Sequence, residues 1–337
     1  MSLEDSLSEA NLAASLDEDL LNKIGSDVVL GFETDQESRK DWLDRIEDDI
    51  KLATQVFEHK TYPWPGAANV KFPLLSTAAL QFAARAYPSL VPGPDLVQGL
   101  IKKPDTDGTL KARAERIGRH MSYQLMCEMP EWEEDMDKLC FILPIVGCAF
   151  KKTYYNTLEG RNVSELVTAE NLVINYWAKS LESAQRKTHI ICMDRNMVKE
   201  RCLAGIFIDC DLGTPVPFNP FGSVTKETSG TTEPSQDETT PYTLLEQHTW
   251  LDLDEDGYKE PWIVTVEHNS KKVLRIVPRF DLSGIKKNGT EIIKIDPVEY
   301  FTKFPFIPNP DGGIYDIGFG LLLGGINDSI NTLTNQL

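Results

Sequence analysis

Pro130-Glu131-Trp132-Glu133-Glu134-Asp135-Met136-Asp137-Lys138-Leu139-Cys140-Phe141-Ile142-Leu143-Pro144 is followed at once by Ile145-Val146-Gly147-Cys148-Ala149-Phe150-Lys151-Lys152-Thr153-Tyr154-Tyr155. The first stretch opens with a proline suited to a first helical position. It places four carboxylates in its first turns, where they complement the helix dipole. Pro144 predicts its end, and Gly147 opens a β-rich run through Tyr155. The chain changes character across this junction, with helical periodicity before it and strand-like runs after it.

Upstream, Trp42, Ile46, Ile50, Ala53 and Phe57 recur at helical intervals, with Thr34 and Glu37 at capping-box spacing. A second helix is expected from Pro73 to before Pro88, apolar around nearly its whole circumference and so expected to be buried by several neighbours. A third is expected from Thr109 to Met129, with Asp107 as its cap. Downstream, Glu165–Val167, Leu172–Tyr176, Lys187–Met193, Tyr242–Leu253, Trp262–His268, Lys272–Pro278 and Glu291–Ile295 read as strands, with a helix over 196–204 stopped by Gly205. The expected class is α+β. The expected divisions are an acidic, partly mobile arm over 1–33, a mainly helical region over 34–155, and a β-rich region over 156–310. The last contains a mobile excursion at 213–241, and the start of a long helix follows over 311–337. Ile326, Ile330, Leu333 and Leu337 form a stripe with no cap after it, which predicts that the helix continues or packs on another subunit.

The 337 residues hold 52 acidic and 34 basic side chains, a net charge of −18, and residues 1–58 alone account for −11. Such a balance argues against a dedicated phosphate-backbone binder, which would be basic overall. It begins without the basic, apolar start of a signal peptide, and no run approaches a membrane span. The six cysteines form no CxxC pair and sit among apolar neighbours, which predicts buried thiols in a cytoplasmic protein.

Asp252-Leu253-Asp254-Glu255-Asp256-Gly257 matches the first half of an EF-hand loop. The twelfth position is Ile263, not Glu, and the flanks are strand-like. An acidic hairpin turn is therefore the plainer reading, with loose calcium binding by Asp252, Asp254 and Asp256 as the alternative. The five histidines are scattered; only His248 and His268, on neighbouring predicted strands, are placed to face each other. Arg113, Arg116 and Arg119 share a face of the third helix, either solvated or in contact with DNA or an acidic neighbour subunit. The sequence contains neither a GxSxG elbow nor a phosphate loop, and no cofactor is expected.

Several stretches in order carry a resemblance. They are 42–45; 62–70 leading to Pro73-Leu74; Gly147–Lys152; 246–257 with Glu260-Pro261; and Gly318-Phe319-Gly320 before Asn327, Asn331 and Asn335. Over about residues 38–337 the chain resembles the portal (head-to-tail connector) proteins of tailed bacteriophages. The resemblance implies a homo-oligomeric ring, usually a dodecamer, at one capsid vertex of the virion. Double-stranded DNA would pass through it during packaging and ejection. Its implied partners are the large terminase packaging motor, the major capsid or scaffolding protein and a head-tail adaptor, with no membrane. It also implies a wing followed by the start of a stem helix, and it carries over no catalytic residue, so the protein is not expected to be an enzyme. The competing expectations are another capsid-associated scaffold or adaptor without DNA contact, and a metal-dependent hydrolase using Asp252, Asp254 and Asp256.

Overall fold

A computed structural model describes residues 7, 9–56, 64–105, 107–216, 218, 236–254, 256–288 and 291–336. Most of the expected excursion at 213–241 lies outside the described residues, as do Phe57, Tyr62, Pro63 and Leu337. The protein is α+β. Its described residues fall into two compact units, the first drawn from 1–45, 168–299 and 312–314, the second from 46–167, 300–311 and 315–337.

The first unit is built on a five-stranded antiparallel sheet in the order β3-β4-β5-β6-β7. Its strands are β3 (Leu172–Ile174), β4 (Lys187–Met193), β5 (Tyr242–Leu251), β6 (Glu260–Glu267) and β7 (Val273–Pro278). Adjacent residues on a strand point to opposite faces, so a sheet covered on both sides needs apolar residues at successive positions. Leu245 packs on one face, in a cluster with Trp262, Val264 and Ile276. Its neighbour Leu244 packs on the other with Leu274, Met193 and Phe207.

Helix α1 (Glu18–Ser38) covers the first face with Ile24, Val28, Val29 and Phe32. The expected mobile arm over 1–33 is therefore folded where it is described. Its acidic side chains raise the charge of the segment but sit off the apolar stripe, which remains intact. Before the helix, Asn11 ties the chain to an edge strand. Its amide donates to Leu274 O (2.9 Å) and its Oδ1 accepts from Ile276 N–H (3.0 Å). That occupies β7 backbone groups that an edge strand otherwise leaves open.

The expected capping box also fails. Thr34 lies inside α1 and its hydroxyl donates to Leu30 O, so the boundary comes at Arg39. The Arg39 guanidinium is buried and donates to the carbonyls of Ala169, Glu170 and Leu172, which fixes where α1 stops. Helix α2 (Lys40–Ala53) then carries the chain into the second unit. The first unit also holds α6 (Arg195–Leu203), followed by Gly205 at φ +72°, and the ribbon of β8 (Ile285–Asn288) and β9 (Glu291–Ile295).

The second unit contains α3 (Leu74–Leu90), α4 (Thr109–Tyr123) with a π-turn over Gln124–Glu128, α5 (Glu131–Val146) and α7 (Phe319–Gln336). Its sheet has the order β10-β1-β2, with β1 (Cys148–Asn156), β2 (Arg161–Val167) and β10 (Phe301–Pro305). The expected divisions at 33/34 and 155/156 thus fall inside α1 and β1. Strand β10, which the sequence did not announce, pairs with β1 from Cys148↔Pro305 to Lys152↔Phe301. Leu139, Leu143 and Ala149 form the core with Leu166, Phe304 and Phe306.

Four helix expectations change here, the first being the end of α3, which runs past Pro88 to Leu90. Helix α5 runs past Pro144 to Val146, because a proline this close to the end forfeits only one intrahelical bond. Helix α4 starts after Gly108, in the left-handed region, and Asp105 rather than Asp107 accepts a first-turn N–H, that of Lys111 (2.9 Å). Helix α3 is not buried all round, since only Leu75 and Ala79 are buried and Leu80 is 58% exposed.

Candidate functional site

The 252–257 stretch joins β5 to β6, whose register runs to Leu251↔Glu260. Two carboxylates hold the turn from within. Asp252 Oδ2 accepts from Gly257 N–H (3.0 Å) and Asp256 Oδ1 from Tyr258 N–H (2.7 Å), with Gly257 at φ +90°. A positive φ at this position favours glycine. Asp252, Asp254 and Asp256 still offer oxygens within 4.8 Å of one another. The expected twelfth ligand position, Ile263, is a β6 core residue opposite His248. The turn is thus a closed hairpin whose acids converge, and Glu255 lies outside the described residues.

Just behind it Glu260 is buried, with its Oε2 accepting from Trp262 Nε1–H (3.3 Å). Burial, together with the Asp254 and Asp256 charges, pushes its carboxyl up to about 7. Between its ordinary value near 4.5 and about 7 the folded chain holds a proton that the unfolded chain releases, so this group removes stability as pH rises through that window. Glu260→Gln is expected to flatten the loss of melting temperature between pH 5 and 7.5. A wild-type profile no steeper than the variant's excludes this role.

The histidines do not converge. His248 contacts Glu246 (3.2 Å), whereas His268 packs edge-on against Phe32. Of the cysteines, Cys140 and Cys148 are buried, Cys202 and Cys210 half-buried, and Cys127 and Cys192 exposed, contrary to the expectation for the last two. The adjacent Lys151 and Lys152 are both buried in β1. Lys151 lies 3.9 Å from Asp135 and 5.5 Å from the Trp132 ring, and burial pushes its ammonium down.

A charged group inside the first unit was not legible in sequence. Lys187 on β4 and Arg279, after β7, are both essentially inaccessible, and Glu299 accepts from Lys187 Nζ and from Arg279 Nη1 (3.1 Å). Burial and then the Arg279 charge push the Lys187 ammonium down to about 8. One carboxylate here serves two cations from distant sequence positions.

In the second unit the resemblance stretches become one device. Asn327, Asn331 and Asn335 recur every four residues on α7. Their Oδ1 atoms accept from the N–H groups of Leu74 (3.2 Å), Phe72 (2.6 Å) and Val70 (2.7 Å), and Asn335 Nδ2 returns a bond to Val70 O (2.9 Å). Four helical residues rise about 6 Å and two extended residues about 6.6 Å, so the two spacings match closely enough for three rungs. Three N–H groups and one carbonyl of 70–74, a stretch in no strand among the described residues, are satisfied this way. A second device joins Gly147 and Gly318, whose backbones cross without side chains between them.

Around these, large apolar side chains stand in solvent. Leu80 and Leu90 on α3, and Leu321, Ile326 and Leu333 on α7, are each more than half exposed. Arg113, Arg116 and Arg119 are exposed on α4, and Arg119 lies 3.8 Å from Glu115. No helix among the described residues is long and apolar enough to cross a membrane. No family model matches the chain, and no curated protein matches it.

Proposed function

We propose that this chain is a structural subunit of a phage portal ring, the conduit through which double-stranded DNA enters and leaves a capsid. On this reading the terminase motor, a capsid or scaffolding protein and a head-tail adaptor dock on it. The observation that carries the proposal is the apolar surface left uncovered on α3 and α7. The two helices pack against each other. Large apolar side chains left exposed on neighbouring helices point to an interaction site, which subunit contacts in a ring are the kind to cover. The ordered sequence resemblance supports the same reading. So does the charge: an acidic body does not hold sliding phosphates by counterion release. Native mass spectrometry on the product of the complete reading frame tests it. A closed ring, expected to be a dodecamer, supports the proposal, and a stable monomer at micromolar concentration overturns it.

A further inference from the structure

We infer that α4 and α5 carry the two complementary halves of one head-to-tail contact, in which the basic face of α4 docks on the acidic face of α5 in a second copy of this chain. The inference rests on the ring reading and assigns its interface.

Helix α4 presents Arg113, Arg116 and Arg119 at three-residue spacing, and Arg113 and Arg116 have no ion-pair partner among the described residues. Beside them Ile117 and Met121 are each nearly half exposed. A phosphate backbone would leave those two side chains in water, whereas a protein surface covers them while pairing the arginines. The chain itself supplies that surface. On α5, exposed Glu133, Glu134 and Asp137 line an open hollow of about 480 Å³ together with Tyr87 and Pro130. The Tyr87 hydroxyl donates to Glu133 Oε1 (2.8 Å), which fixes that carboxylate at the rim. An arginine suits such a hollow, because its stem packs on the ring and the proline while its planar head meets carboxylates. Glu134 already pairs with Lys138 on α5 (2.7 Å) and Arg119 with Glu115 on α4 (3.8 Å), which leaves Glu133 and Asp137 to meet Arg113 and Arg116. The two faces are of opposite charge and neither is complementary to itself. The contact is therefore heterologous, the type that closes into a ring when the rotation closes.

The test uses the full chain with Arg113→Glu/Arg116→Glu in one protein and Glu133→Lys/Asp137→Lys in another, followed by native mass spectrometry and sedimentation. Each protein alone is expected to need at least about tenfold higher concentration to assemble than wild type. Mixed in equal amounts, the two restore assembly as alternating rings, because every junction again joins opposite charges. That restoration also shows both variants to be folded. Either variant assembling like wild type overturns the interface while the ring reading stands, and so does a mixture that assembles no better than its parts. An arginine variant that assembles normally but loses retention of double-stranded DNA makes the patch a nucleic-acid contact and likewise overturns it. A monomeric wild type removes the ring reading itself, and the interface with it.

Discussion

Gly318→Ala is expected to unfold the second unit, costing about 3 kcal/mol or more in a urea melt of the whole chain. A methyl group at residue 318 would stand inside the Ile145 carbonyl oxygen and 2.9 Å from Gly147 N, which are backbone atoms and not the yielding end of a side chain. Neither strand of the crossing is free to withdraw. Phe306 N–H donates to Gly147 O (2.8 Å) and Ile317 N–H to Ile307 O (2.9 Å), and β1 is fixed between β10 and β2. Gly147 is constrained from both sides, since it sits at φ +98° and its own Cβ would lie 2.5 Å from Asp316 O. The control is Gly325→Ala. It faces open space inside α7 and is expected to stabilise the helix by about 0.5–1 kcal/mol. Equal, mild effects for the two would show that the crossing tolerates a side chain.

Glu299→Ala carries the second large expectation, a loss of about 3–5 kcal/mol, because it strands two buried cations where there was one shared anion. Its pH dependence separates this cause from a simple packing defect. In the wild type Lys187 binds its proton less readily folded, at about 8, than at its ordinary 10.5. Between those values the unfolded chain binds more protons than the folded one, so stability from this group rises with pH. Without Glu299 the folded lysine releases its proton at still lower pH, and the rising window extends below 8. The gap between variant and wild type is therefore expected to narrow from pH 7 to pH 10 in chemical denaturation. A gap constant over that range would leave only the packing explanation.

Much of the architecture was readable because period and punctuation agree locally. The Lys187–Met193 and Glu291–Ile295 strands fall at the expected bounds, and Gly205 stops its helix in the left-handed region as expected. What misled was composition. Dense carboxylates between residues 17 and 37 mask the stripe Ile24, Val28 and Phe32, and a continuous α1 emerges only once the sheet that it covers is known. Likewise the proline-rich stretch from Phe304 reads as irregular, yet Phe304 and Pro305 end an edge strand, which tolerates a proline. The Asp252–Gly257 turn was legible as both a hairpin and a convergent set of acids. The Lys187–Glu299–Arg279 group was not, because burial of a lysine depends on partners about a hundred residues away. The asparagines at 327, 331 and 335 showed their spacing plainly, but nothing local named the 70–74 backbone as what they hold.

That ladder makes the helix intolerant of changes in count where it tolerates changes in kind. A residue inserted between Asn327 and Asn331 would swing every later side chain about 100° around the helix axis. Both lower rungs would detach together, and the Val70 and Phe72 amides would be left without their acceptors. Any length variation in this protein must therefore fall elsewhere, and α7 serves as a ruler against which the incoming chain is measured.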